Sequence, residues 1–358
     1  MKQLAKYITG IILGLLIMFN FSTAKVFAAE EANGAGFSYS INYPENQIEE
    51  TGYYKLKMSP GQEQTVSMTL TNPSDEDIKV DIALTGAKTN RNGVIEYSPV
   101  EIKNDASLKF PFEDIVTGEK TVEVPAGKTI DYEMKIKMPE TSFDGVILGG
   151  IYMIKQDSEK EKKASGSIVI NKYAYAIAMV LTETDKKLEK ELKLNSVSAG
   201  QSNYRNTIFV NLSNVVADYV NDLMVEVQVT KKGSETVLYE AKKEEMRMAP
   251  NTFLEFPVSM NGEEMVPGEY TAKILASSEG YKKEWTKDFK ITKEEAGKFN
   301  ERDVGLVQEK EIDWKIIAAI VGGVLAVIVV LFLLIYSLRK KKKSSRKKNK
   351  KVNKKSKQ

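Results

Sequence analysis

The strongest constraint on this chain is an alternation of period two. Ile130, Tyr132, Met134, Ile136 and Met138 are interleaved with Asp131, Glu133, Lys135 and Lys137, so every second side chain is apolar. An extended strand points successive side chains to opposite faces, so this pattern buries one face and wets the other, whereas a helix would scatter it around its circumference. Val66, Met68 and Leu70 repeat the pattern against Thr65, Ser67 and Thr69, and Ile78, Val80, Ile82 and Leu84 follow it. Pro60-Gly61, Asn92-Gly93 and Ala126-Gly127 punctuate these runs as turns. A second set comprises Ile208, Val210 and Leu212; Leu223, Val225, Val227 and Val229; Tyr270, Ala272, Ile274 and Ala276; and Phe289 with Ile291. Its turns are Lys232-Gly233, Asn261-Gly262 and Pro267-Gly268. Short, regularly spaced strands of this kind predict an all-β chain of two tandem immunoglobulin-like sandwiches.

The two ends read differently. Lys2 and Lys6 precede an apolar run from Ile8 to Phe19, and Val26 and Ala28 stand where a signal peptidase requires small residues, which predicts a signal peptide over 1–28. Near the other end, Ile316 to Tyr336 is free of charge, and 15 of its 21 residues are Ile, Leu, Val or Phe. The run is long enough to cross a hydrocarbon core of ~30 Å and predicts one C-terminal transmembrane helix over 316–336. Residues 339–358 hold 13 Lys or Arg and no acid, which by the positive-inside rule reads as a basic cytoplasmic tail over 337–358. The expected location is the cell membrane, single-pass, with the ectodomain outside within or across the cell wall and a stalk over 301–315.

The boundary between the sandwiches has two readings. The first sandwich spans 30–160 and the second 165–300, with 156–166 as a polar linker. Alternatively, 156–166 is the loop of a hairpin, the last strand of the first sandwich extends to 182, and 183–191 is the hinge.

Composition removes several functions. The chain has no Cys and no His, which excludes disulfides, Cys nucleophiles, Ser-His-Asp triads and zinc sites of the usual kind. The formal net charge is +3, but with the 13 tail cations and Lys2, Lys6 and Lys25 set aside, the rest carries −13. Such an ectodomain repels nucleic acid. Asp75-Glu76-Asp77 lacks the spaced oxygens of a calcium loop and reads as an exposed turn. No carboxylate pair is nominated for glycoside hydrolysis. Neither a catalytic residue, a cofactor nor a metal is expected.

Exceptions to the strand pattern supply the candidate sites. Thr89, Asn90 and Asn92 form a dense polar stretch before Tyr97, and amides, hydroxyls and a ring suit hydrogen bonding and stacking on a polar ligand. A type I′ hairpin turn is the competing explanation of the same residues. Tyr204, Arg205, Asn206 and Asn251 are candidates for partner contact, against an ordinary role at strand ends. Gly149-Gly150, mid-strand, suggests a bulge or a close backbone approach.

Several blocks carry a family resemblance in order: Tyr53-Tyr54-Lys55-Leu56 with Pro60-Gly61-Gln62, Ala87-Lys88-Thr89-Asn90 with Asn92-Gly93, Phe143-Asp144-Gly145 with Gly149-Gly150, Asn203-Tyr204-Arg205-Asn206, and Arg247-Met248-Ala249-Pro250-Asn251. Together they resemble the WxL-interacting proteins of low-GC Gram-positive bacteria. The resemblance implies a cell-surface adaptor whose first domain binds peptidoglycan and whose second binds WxL-domain surface proteins or host extracellular-matrix proteins. A direct host-matrix adhesin without a bacterial partner and an envelope hydrolase stand as the alternatives.

Overall fold

The computed structural model describes residues 34–157, 172–306 and 319–331. The described chain is mostly β-sheet, with 18 strands in two successive groups.

In the first group, β1 (Ser38–Asn42), β3 (Glu63–Thr71), β9 (Thr129–Lys137) and β7 (Val116–Gly118) form one sheet in the order β1-β3-β9-β7. The facing sheet runs β2 (Tyr54–Lys57), β11 (Ala174–Thr182), β10 (Val146–Lys155), β4 (Ile78–Gly86) and β8 (Thr121–Val124). The alternation read from the sequence turns one face of each strand inward, and the pairing brings those residues together: Val66 lies opposite Met134, Met68 opposite Tyr132 and Leu70 opposite Ile130. All but Ile130, which is partly buried, sit with Tyr54, Leu56, Ile136 and Ile151 in one apolar core between the sheets. Cross-strand apolar pairs of this kind are the unit of sheet stabilisation, and truncating one such core residue to Ala costs about 2–5 kcal/mol.

The hairpin β10–β11 pairs Val146 with Thr182 through Ile154 with Ala174, and β2 then adds to β11 in parallel, from Tyr54 opposite Met179 to Lys57 opposite Thr182. Gly149 and Gly150 are explained by close approach on both faces of β10. A Cβ on Gly149 would fall 2.2 Å from the Phe112 ring in the core, and one on Gly150 would fall 2.2 Å from the Tyr97 carbonyl outside it.

In the second group, β12 (Leu192–Ser202), β13 (Arg205–Asn214) and β16 (Phe253–Ser259) face β15 (Val237–Met248), β14 (Val220–Lys231), β17 (Gly268–Ser278) and β18 (Tyr281–Ile291). Val225, Val227 and Val229 of β14 lie opposite Ala276, Ile274 and Ala272, while Val210 and Leu212 lie opposite Phe256 and Leu254. Bulky and small apolar residues thus share a second core. A helix, Lys293–Asn300, closes this group. Thr292 and Glu295 cap it reciprocally, each side chain bonding the other's backbone N–H, which satisfies two donors that a helix start leaves open.

The expectation at the C-terminal end is corrected. The described residues of that run, 319–331, are helical and exposed. Among the described residues no helix is long and apolar enough to cross a membrane. The structure therefore does not bear out the transmembrane helix over 316–336, nor the single-pass membrane location with a cytoplasmic C-terminus that was read from it. Residues 1–28, the 158–171 segment, the stalk from 307 on and the basic tail 337–358 lie outside the described residues.

Candidate functional site

The two sandwiches are joined by a dense junction that takes in most of the polar stretch before Tyr97. Strands β5 (Lys88–Thr89) and β6 (Ile95–Glu96) form a small hairpin. Asn90 shapes its turn, because its Oδ1 accepts the N–H groups of Asn92 at 2.9 Å and Val94 at 3.1 Å. Gly93 sits at φ +68°, a conformation that glycine adopts without strain.

The hairpin projects onto the second sandwich. Thr89 is only 2% exposed, and its hydroxyl accepts the Ala249 N–H at 3.0 Å and meets the Thr252 hydroxyl at 2.6 Å. Since Thr252 donates to the Ala249 carbonyl at 2.8 Å, the Thr89 hydroxyl is the donor of that pair. Arg247 N–H donates to the Gly93 carbonyl at 2.7 Å. Arg91 donates to Glu255 at 2.9 and 3.1 Å and lies 4.5 Å from the centre of the Phe209 ring. Asn92 accepts from Lys243 at 3.4 Å.

A second seam reinforces the first. Val146 N–H donates to the Ala217 carbonyl at 2.7 Å, and Asn251 donates to Ser107 at 3.2 Å. Asp105 accepts from Ser107 and from Ser213 of β13. Burial alone would push the Asp105 carboxyl up, but these hydrogen bonds and the Lys193 charge outweigh it and hold it below the usual carboxylate range. Between the seams lies a small apolar cluster of Ala87, Ile95, Leu148, Val180 and Ala249, with Tyr53, Tyr97 and Tyr219 packed against it.

Two clefts open at this junction. One, of about 460 Å³, is lined by Phe110, Phe112 and Phe143 from the first sandwich, by Leu188 from the connecting segment and by Val215 to Ala217 from the second. The other, of about 510 Å³, is walled by Tyr39, Tyr53, Tyr97 and Tyr219, with Lys55 and Arg247 as its cations. Its floor is the outer face of β11, where Ala176 and Ala178 leave room between the rings. Burial pushes the Tyr97 and Tyr219 hydroxyls up, so both rings are neutral across the physiological range. Flat neutral rings around a small-residue floor, edged by cations, suit the stacking and hydrogen bonding of a polar ligand with an anionic group. Among the described residues no group of three or more Asp or Glu is placed to hold a metal ion.

Tyr97 is thus the residue of the first candidate set that faces a cleft, while Thr89, Asn90 and Asn92 are engaged in the hairpin and junction. The second set is also divided. Asn251, at φ +50°, belongs to the junction through Ser107. Tyr204 and Arg205 lie at the other end of β13, ten residues or ~30 Å from Asn214. Tyr204 occupies a tight turn at φ +57° and is 68% exposed. Asn206 is 1% exposed and bonds Asn300 at 2.8 Å and the Asp303 carboxylate at 2.7 Å, tying the strand to the end of the closing helix. Ala176, Tyr219 and the cleft role of Arg247 were not read from the sequence. The one available signal was the small-residue run Ala174, Ala176 and Ala178 on the face of β11 opposite the core.

Residues 37–155 match the family profile described as WxL Interacting Protein, peptidoglycan binding domain, and residues 164–301 match the one described as WxL Interacting Protein, host binding domain. The second match includes β11, which by its pairing belongs to the sheet of the first sandwich. No curated protein matches the chain. Similar solved structures include a chaperone–tip adhesin complex of CFA/I fimbriae biogenesis, 14% identical over 71% of this chain and 97% of that one, with a TM-score of 0.28. Others are the YadV chaperone (11%, 71% and 100%, TM-score 0.27) and a PapD-like domain of human CEP192 (9%, 47% and 99%, TM-score 0.26). Scores this low carry no conclusion about fold or function. The two profiles describe binding modules and not catalytic ones, and between them they match most of the described chain: it belongs to the WxL-interacting protein family, with a peptidoglycan-binding module followed by a host-binding module.

Proposed function

We propose that this protein is a wall-associated adaptor that holds peptidoglycan in the tyrosine-lined cleft and presents the opposite end of its second sandwich to a protein partner. The observation that carries the first part is the cleft itself: four tyrosines and two cations around an alanine floor, on the outer face of the sheet that the peptidoglycan-binding match largely builds. The first functional unit then includes β11 and ends in the segment 183–191, because Ala176 and Ala178 of that strand form the floor.

For the second part, Tyr204 and Val304 are both 68% exposed and are held together by a 3.0 Å bond from the Val304 N–H to the Tyr204 carbonyl. An exposed aromatic on a rigid turn, with Arg205 beside it, has the makings of an interface anchor. WxL-domain proteins are the partners that the family assigns, and the description of the second module as host-binding favours a host matrix protein as a further one.

The cleft is tested by sedimentation with purified wall sacculi. The protein is expected to pellet with them, and Ala176→Glu, a change at an exposed strand position that fills the floor and adds a negative charge, is expected to keep it in the supernatant at unchanged melting temperature. Equal pelleting of both proteins would remove the cleft from the account.

A further inference from the structure

We infer that Arg247, which the second sandwich supplies, is the carboxylate-reading group of the tyrosine cleft, so that the site is completed across the junction and its ligand is the peptide part of the wall polymer. This rests on the reading that the cleft holds the wall ligand.

Arg247 is held at both its backbone and its side chain. Its backbone N–H is fixed to the Gly93 carbonyl at 2.7 Å, and its Nε donates to Asn221 Oδ1 at 2.9 Å. Its guanidinium lies 5.9 Å from the centre of the Tyr219 ring. One edge of the fork is therefore anchored and the group is aimed, yet among the described residues no carboxylate lies within 4 Å of it. Arg91, in the same junction, has Glu255 at 2.9 Å, and Lys55, across the cleft, has Glu49 at 3.5 Å. Arg247 is thus the cation of this cleft whose charge is not matched by a protein carboxylate. A planar guanidinium with its terminal nitrogens open matches a carboxylate in two parallel hydrogen bonds, which an ammonium cannot reproduce.

The floor points to the same ligand. Strand β2 pairs only with residues 179–182 of β11, so among the described residues Ala174 to Ala178 have no strand neighbour on that side. An open strand edge offers backbone groups to an extended peptide, and a sugar ring makes no use of that pattern. Peptidoglycan carries both chemistries, glycan chains and short peptide stems that end in carboxylates. An anchored guanidinium beside an open strand edge selects the stem.

The test uses the intact protein and three soluble probes: a disaccharide with its peptide stem, the same compound with the stem carboxylates amidated, and glycan chains freed of stems. The stem-bearing compound is expected to bind best. Arg247→Gln should weaken it about ten- to hundredfold, the span of one charge-assisted contact, and Arg247→Lys should recover part of the loss. Amidation of the ligand should weaken the wild-type protein to the same extent, a readout that does not depend on any variant folding. Equal binding of amidated and free stems, or of stem-free glycan, would overturn the inference and leave the cleft reading standing. Binding of all three probes unaffected by Ala176→Glu would overturn the cleft reading, and the inference with it.

Discussion

Two polar, turn-forming stretches of this chain look alike and do different things. Thr89–Tyr97 and Asn203–Asn206 each combine asparagine, arginine and tyrosine at a tight turn between strands. The first is pressed into the second sandwich, with Thr89 buried and Arg91 paired to Glu255, whereas the second ends in the 68% exposed ring of Tyr204. A polar stretch between strands therefore has two uses in a tandem β protein, as mortar between sandwiches or as an exposed tip. What separates them is whether another sheet's backbone has unmet hydrogen-bonding groups nearby. At Thr89 it does: among the described residues the Ala249 N–H has no other acceptor than that hydroxyl.

The junction between the sandwiches is most vulnerable at Gly145. This residue holds φ +96°, and a Cβ there would fall 2.2 Å from the Ala217 carbonyl and 2.9 Å from Leu188 of the connecting segment. Gly145→Val combines a strained backbone with a clash against backbone that cannot swing away, a cost of about 3 kcal/mol. Because the Val146–Ala217 bond lies beside it, the expected outcome by differential scanning calorimetry is a lower melting temperature and one transition resolving into two. A single, unshifted transition would mean that the sandwiches do not stabilise each other through this seam.

Thr89→Val probes the mortar more gently. The side chains are nearly the same shape, so the change isolates the hydroxyl. It leaves the buried Ala249 N–H without an acceptor, while Thr252 keeps its bond to the Ala249 carbonyl. A buried donor left unpaired costs about 1–3 kcal/mol, so urea denaturation should give a lower midpoint at an unchanged slope. A changed slope would instead place the effect on the compactness of one of the two states.

These residues also mark where the sequence was legible. The buried faces of the strands were: alternation marks Val66, Met134, Val227 and Ile274 as core-facing, since a one-residue slip would turn them to solvent, whereas which strand pairs with which is not encoded in the period. The Asn90–Gly93 turn was legible as a hairpin, because glycine at positive φ and an asparagine side chain closing on its own backbone are local effects, but not as type I′, which needs positive φ at Asn92 as well, whereas only Gly93 has it. The cleft was not. Tyr97, Tyr219 and Arg247 lie far apart in the chain, and their meeting depends on how two folded units dock, which no local period encodes. Thr89 could not be read as buried for the same reason, because its burial is conferred by Ala249 and Thr252 across the junction. The C-terminal run misled in the other direction. Its uniform apolarity argued for a crossing helix over 316–336, whereas among the described residues no helix is long and apolar enough to cross a membrane.

The smallest stability effect is expected at Tyr204, and that is what makes it informative. The ring is exposed and makes no side-chain hydrogen bond among the described residues, while the turn is held by backbone pairing of Ser202 with Arg205 and by the Val304 N–H on the Tyr204 carbonyl. Tyr204→Asn keeps a residue that tolerates positive φ, removes the ring and should shift stability by no more than about 0.5 kcal/mol. If the turn is an exposed tip in the sense drawn above, capture of a WxL-domain partner on an immobilised protein should fall about tenfold or more while sedimentation with sacculi is unchanged, since a central aromatic anchor is worth about 2 kcal/mol or more to an interface. Loss of wall binding would instead couple the two ends of the second sandwich. Undiminished partner capture would move the partner's footprint to another face, with the strongly charged outer edge of β15 the next to be mutated.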